Sequence, residues 1–285
     1  MSSVSTILSK EQNDLLRAKF NPEGSKLRTD QLRLLSMLRI INKICKDNQI
    51  PYWLSSGTLL GCARHGGFIP WDDDMDIFML KKDYKRFLDV MVKYDSADYV
   101  FHCMETDPDY VNIFGKFRDK NGRIDSKSPR YKFYKYAGIG LDVFAIEKTN
   151  FISAYIAGLL YNTVMKSTVH ILNSGIRHFY TKSLEFLFSY IVFPVLRLFG
   201  MINPKGEYHL ALGTGFPKQR VFLKDVFPLE EGLFENEEFF VPHCIDNYLM
   251  NLYGDWRRIP SESDILSSIH NREYQKEILS RVNSE

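Results

Sequence analysis

Residues 57–80 read GTLLGCARHGGFIPWDDDMDIFML and place four carboxylates, Asp72, Asp73, Asp74 and Asp76, within five positions, just ahead of the apolar run 77–80. Two like charges about 4 Å apart repel by roughly 4 kcal/mol at an effective dielectric of 20, so such a cluster at the mouth of a buried strand needs open water or a bound cation. In an extended chain side chains alternate, which predicts Asp72, Asp74 and Asp76 on one face and Asp73, Met75 and Ile77 on the other. Hard oxygen ligands converging in this way suit Mg²⁺ or Mn²⁺, ions usually held by one or two carboxylates together with substrate phosphate oxygens. A solvated acidic loop is the plainer reading; Trp71 before the cluster and the apolar run after it argue against that. An EF-hand also fits Asp72, Asp74 and Asp76, but Ile77 stands where its sixth position requires Gly and Asp83 where its twelfth requires Glu.

Working outward, residues 29–48 carry Leu34, Leu35, Leu38, Ile41 and Cys45 at helical spacing, with Thr29 or Asp30 as N-cap. A short strand follows at 50–56, and Gly57 and Thr58 stand where it turns into a helix, so that backbone N–H groups there can receive phosphate oxygens. Residues 75–80 predict a strand and 81–94 a helix with Tyr84, Phe87, Leu88 and Met91 facing inward. Strands are expected at 99–105 and 110–119, with Asn121-Gly122 as a hairpin turn after the second. A last strand, 138–147, sets Asp142 inside an apolar run. The order predicts a mixed α/β (α+β) catalytic core over 29–150, preceded by an N-terminal lead, 1–28.

Residues 151–205 have a different character, with Glu185 their single acidic residue. The longest uncharged run, 149–165, falls short of the ~20 residues that cross a bilayer, which disfavours a transmembrane helix. Two readings stay open for this apolar helical insert: a pair of core-facing helices, or a helical hairpin making peripheral contact with a membrane through 151–200. The C-terminal extension, 206–285, predicts a connector, a strand hairpin, a helix over 242–252 stopped by Gly254, and a solvated or frayed end.

The 37 basic and 35 acidic residues nearly balance, which excludes the strongly basic field of a general nucleic-acid binder. Cys45, Cys62, Cys103 and Cys244 show no zinc spacing and read as reduced, mostly buried side chains. With no basic region followed by an apolar one at residues 1–20, a cleaved signal is not expected, and the protein is expected to act in the cytosol, at the inner face of the membrane if the insert touches lipid.

A strand, Gly57-Thr58, the Asp74-Met75-Asp76-Ile77 strand and a lone Asp142 on a later strand together resemble the nucleotidyltransferase fold superfamily. More closely, GTLLGCARHGGFIPWDDDMDI, KFRDKNGRIDS, GLDVFAI and YLMNLYGDWRRIP resemble the LicD-type family of phosphocholine transferases, which includes fukutin and fukutin-related protein. The resemblance covers residues 30–147 and about 220–260. The cysteine loop of the fukutin branch is not found. The resemblance implies transfer of a substituted phosphate, phosphocholine first, from a CDP-linked donor to a hydroxyl of a glycan, free or lipid-linked, with CMP leaving. It implies Asp74 and Asp76 as metal ligands, Asp72 as an additional one, and Asp142 as either a ligand or the acceptor of the hydroxyl proton. Arg64, Lys116 and Arg118 become candidate phosphate clamps; His65 either orients a donor phosphate or bonds its own loop. Two rivals remain: a glycosyltransferase using Asp74-Met75-Asp76 as a DxD motif, and a non-catalytic binding scaffold.

Overall fold

The computed structural model describes residues 7–126, 128–216, 219–269 and 271–282. Among them, strands β1 (Trp53–Leu54), β2 (Asp76–Leu80), β3 (Tyr99–His102), β4 (Gly115–Asp119), β5 (Gly140–Lys148) and β6 (Tyr208–Leu210) form one mixed sheet in the order β1-β2-β5-β4-β3, with β6 on the far end of β5. Only β2 and β5 run parallel; the other pairs are antiparallel. Strand β5 is buried along seven consecutive residues, 141–147, because helices and loops cover both of its faces.

Helix α2 (Lys26–Asp47) supplies most of one layer, burying Leu34, Leu35, Leu38, Ile41 and Cys45. Its cap is Ser25, whose hydroxyl accepts the Arg28 N–H, so the helix starts a turn earlier than Thr29 or Asp30 would place it. The expected N-terminal lead contributes helix α1 (Lys10–Phe20), closed by a reciprocal Ser9–Gln12 capping box. After β2, helix α4 (Lys81–Met91) buries Phe87 and Met91. The Asn121-Gly122 hairpin is not formed: the Asp119 carboxylate accepts the Asn121 N–H, 2.8 Å, and the chain wanders through 120–139 before returning as β5. Strand β4 is also shorter than expected, beginning at Gly115 rather than near 110.

The insert folds as helix α5 (Phe151–Lys166) and a second arm, α6 (Ser174–Leu187), continuing through a π turn into α7 (Phe193–Gly200). The arm Ser174–Gly200 is one 27-residue helix, long and apolar enough by length and composition to cross a bilayer. The uncharged-run criterion passes over it because Arg177, Lys182, Glu185 and Arg197 interrupt it; in the fold these charges are paired, Lys182 with Glu185, Arg177 with Asp109 and Arg197 with Glu147.

Glu147, buried near the end of β5, ties three elements together by accepting Lys81 Nζ (2.7 Å), Arg197 Nε (2.8 Å) and the Leu212 N–H (2.9 Å). Burial alone raises its pKa; Arg197, Lys81 and that N–H outweigh burial and hold it below the ordinary Glu range. A depressed folded pKa gives stability that is present above the unfolded pKa and lost as pH falls through the folded one. Glu147→Gln should therefore destabilise by about 2 kcal/mol at pH 7, less than a fully buried pair because both cations are partly exposed. Thermal melts of the two proteins should converge as pH drops below ~4.

Beyond the sheet, one turn of helix, α8 (Leu223–Val226), precedes β7 (Glu230–Phe234) and β8 (Glu237–Val241), which make the expected hairpin. Helix α9 (Ile245–Tyr253) stops at Gly254, whose φ of +70° suits glycine. The described residues of the C-terminal end are helical and packed: helix α10 (Glu262–Ser268) precedes α11 (Arg272–Val282), which buries Tyr274 and Ile278 completely enough to join the main core.

Candidate active site

The carboxylate-rich end of β2 opens into a cleft of about 810 Å³. One cross-strand row organises its floor. Asp76 on β2 is the register partner of Asp142 on β5, Asp142 of Lys116 on β4, and Lys116 of His102 on β3. Partners directly opposite share a face of a sheet, so pairing alone brings these groups together from positions 66 residues apart at most. Lys116 Nζ lies 2.5 Å from Asp142 Oδ1 and 2.7 Å from Oδ2. Burial opposes the charge on Lys116, but Asp142 prevails and its pKa is raised.

Residues 72–75 are not strand, so the alternation expected for the cluster does not hold, and all four carboxylates line the cleft. Asp73 turns to accept the Asn271 N–H at 2.7 Å, at the start of α11. Asp72 sits against the N-terminus of helix α3 (Ser56–His65), where a helix dipole favours negative charge. Ser56 holds a strained φ of +47°, and its hydroxyl reaches Asp76. Asp72 and Asp76 have pKa values pushed well above the ordinary carboxylate range, first by burial and then by the neighbouring carboxylates; Asp72 is within hydrogen-bond reach of Asp74.

This crowding fits a divalent cation, which would relieve the repulsion among Asp72, Asp74 and Asp76. Among the described residues no group of three His, Cys, Asp or Glu side chains closes around a metal-sized point. Asp72, Asp74, Asp76 and Asp142 are therefore not an all-protein cage, and a cation held by them would draw further ligands from phosphate and water, the usual habit of Mg²⁺.

The basic residues divide by what they already hold. Arg64 lines the cleft but donates to the carbonyls of Trp256 (3.0 Å) and Arg258 (3.1 Å), fastening the loop after α9 over the site; burial lowers its pKa to about 10. Arg118 donates to Gly138 O (2.5 Å) and Tyr131 Oη (2.8 Å), which positions the 120–139 loop. Lys116 lies in the cleft beside the carboxylates. His65 is not brought to the cleft. Its Nδ1–H donates to Asn13 Oδ1 (2.7 Å) and its Nε2 accepts from Arg64 Nε (3.0 Å), leaving no nitrogen for a phosphate, and burial, then Arg64, lowers its pKa to about 3. Thr58 also stays below the surface, its hydroxyl accepting the Asp76 N–H at 2.8 Å. Gly57 does line the cleft.

Gly57 has a specific steric role: a Cβ there would lie 2.5 Å from Asp72 Oδ2. Gly57→Ala should displace that carboxylate, lowering activity about 10- to 100-fold, in the manner of a disturbed ligand support, while shifting the melting temperature little. Steady-state kinetics beside a thermal melt separate the two effects.

Several lining residues carry no local signal in the sequence. Arg130, Tyr131 and Tyr134 come from the long 120–139 loop, Phe216 and Gln219 from the segment after β6, and Asn271 from the C-terminal end.

A mixed sheet with Asp76 and Asp142 on adjacent strands, Lys116 on the strand beyond them and an uncapped helix N-terminus beside them fits a phosphotransferase of nucleotidyltransferase type. Residues 49–167 match the family model described as LicD/FKTN/FKRP, nucleotidyltransferase domain. The lipopolysaccharide cholinephosphotransferase LicD of Haemophilus influenzae is 30% identical over 259 residues, 84% of this chain and 94% of that protein. Ribitol-5-phosphate transferase FKTN of Mus musculus is 32% identical over 110 residues, 37% of this chain and 22% of its own. The uncharacterized protein RP689 of Rickettsia prowazekii is 28% identical over 137 residues, 45% of this chain and 50% of its own. The chain belongs to the LicD family.

Proposed function

We propose that the enzyme transfers phosphocholine from CDP-choline to a hydroxyl of a cell-surface glycan such as lipopolysaccharide, teichoic acid or capsule, releasing CMP with the help of Mg²⁺ or Mn²⁺. The observation that carries this reading is the in-register row Asp76–Asp142–Lys116 facing Asp72 and Asp74 in one cleft. The name and extent of the Haemophilus influenzae relative support the choice of phosphocholine.

In the reaction the acceptor oxygen bonds to the phosphorus of the phosphocholine group, the P–O bond to the CMP phosphate breaks, and that electron pair leaves with CMP. Such transfer depends on positioning and charge neutralisation more than on covalent help from the protein. A bound divalent cation would supply part of that neutralisation, with one or two of Asp72, Asp74 and Asp76 as ligands and the rest of its shell from phosphate and water. Lys116 adds a positive charge on the floor of the cleft, and the α3 N-terminus offers backbone N–H groups to a phosphate oxygen. The hydroxyl proton goes to Asp142 or to water. Asp142→Asn separates its roles: lost donor binding marks a ligand, whereas intact donor binding with lost transfer marks the proton acceptor.

The test is CMP release from CDP-choline, CDP-ribitol and CDP-glycerol, and UDP release from UDP-glucose, each with Mg²⁺ and a glycan acceptor. CDP-choline should lead. Turnover of UDP-glucose alone would sink the proposal in favour of a glycosyltransferase, a reading that expects a parallel βαβ run before the DxD motif, whereas β1 is antiparallel to β2.

A further inference from the structure

The insert exposes what helices normally bury. Its inner side packs Ala157, Tyr161, Phe188 and Phe193 into a small core of their own. Its outer side presents Phe179, Phe186, Tyr190 and Leu198 on the long arm and Ile152 and Leu159 on α5, each between 55% and 77% exposed. Their spacings, seven, four and eight residues on the long arm and seven on α5, are near multiples of the helical repeat and set one stripe on each arm. Apolar surface of this extent marks an interaction site.

Charge identifies the occupant. Residues 151–206 hold one acidic residue, Glu185, already paired with Lys182, and Lys148, Lys166 and Lys205 stand exposed at the ends of the arms. A second copy of this face would set basic against basic, whereas an anionic surface attracts it. Tyr155 and Tyr190 add rings with a polar tip, which suit the boundary between acyl chains and water.

The tethers decide how the arm lies. At one end, Asn150 donates to the carbonyls of Phe199 and Ile202, both at 3.0 Å. At the other, Arg177 pairs with Asp109 at 2.6 Å and lies 4.1 Å over the Phe133 ring. A 27-residue helix is about 40 Å long, and both its ends are bound to the same folded body, so it cannot cross a ~30 Å hydrocarbon core without breaking one tether.

We infer that the hairpin docks in the plane of an anionic lipid bilayer, with its apolar stripes at the acyl boundary and its lysines among the headgroups. The same hairpin grips the cleft rim: Tyr161 Oη donates to Val111 O (2.9 Å) and Asn162 Nδ2 to Gly213 O (3.0 Å), next to the lining residues Asn112 and Phe216. Docking therefore holds the cleft at the membrane surface, where an acceptor glycan presented on a lipid would meet it. That last step rests on the transferase reading; the docking itself does not.

Flotation of the full chain with phosphatidylcholine vesicles, with or without about one quarter phosphatidylglycerol, tests the docking without using activity. Wild type should float with the anionic vesicles and be released by alkaline carbonate. The variant Phe179→Ser/Tyr190→Ser/Leu198→Ser should keep its circular dichroism and melting profile and lose flotation about tenfold. Lys148→Ser/Lys166→Ser/Lys205→Ser should lose its preference for anionic vesicles. Wild type that stays at the bottom, or a triple Ser variant that floats like wild type, overturns the proposal. Resistance to carbonate would indicate a spanning helix, and a concentration-dependent dimer that the first variant abolishes, without flotation, would assign the face to a second copy; either result also overturns it.

Discussion

Asp76→Asn should lose phosphocholine transfer by about 10³-fold while the metal-free protein becomes more stable. The loss follows from removing a charged group at the centre of the site, an effect that in preorganised electrostatic sites reaches 10²–10³ or more. The gain follows from the environment of Asp76. Burial, then Asp74 and Asp142, disfavour its charged form in the folded state and push its pKa well above the ordinary range. An amide of the same shape carries no charge to desolvate and does not repel its neighbours. A gain of about 1 kcal/mol raises the melting temperature by roughly 2–4 °C in a chain of this size. Melting both proteins in a chelator checks the sign, and added Mg²⁺ should then favour wild type more than the variant. A variant less stable than wild type in the chelator would mean that the carboxylate is part of the scaffold.

Lys116→Met, two strands further along the same row, should move stability the other way. It strips Asp142 of the cation 2.5 Å away and leaves that carboxylate beside Asp76. Breaking a buried pair from one side costs about 3–5 kcal/mol, since the remaining charge stays desolvated and unpaired. Transfer should fall by about 10³-fold as well, through loss of a positive charge on the floor of the cleft. Lys116→Met/Asp142→Asn should recover most of the stability and none of the activity. Chemical denaturation of the two single variants and the double variant supplies the cycle; a double variant no more stable than Lys116→Met would show that the pair is not coupled.

These opposite signs could not have been foreseen from the sequence. Residues 72–76 announce a charged turn before a buried strand, because four carboxylates and an apolar run are local information, and Gly57 announces a strand-to-helix turn for the same reason. The register that sets Lys116 opposite Asp142 and Asp142 opposite Asp76 depends on pairing between strands distant in the chain. Asp142 stands out in the sequence as a charge in an apolar run and gains a role only through the family resemblance. His65 lies near enough to the cluster in sequence to suggest that it orients a donor phosphate, yet helix α3 turns it toward Asn13 on α1. Asn121-Gly122 carried a strong hairpin signal, but the Asp119 side chain takes the turn N–H and the chain departs into a loop that brings Tyr131 and Tyr134 to the cleft. The C-terminal helix looked solvated because its polar residues outnumber its apolar ones; Tyr274 and Ile278 suffice to bury one face.

The most direct measurement is the thermal shift of wild type and Asp76→Asn with CDP-choline and Mg²⁺, each alone and together. A ligand at 100 times its dissociation constant adds about 2.7 kcal/mol, several degrees for a chain of this length. Wild type should show a shift with CDP-choline and Mg²⁺ together that exceeds the sum of the two alone, and the variant should not. An equal shift from CDP-choline in a chelator, or an equal combined shift in the variant, would contradict a site in which these carboxylates bind the donor through a divalent cation.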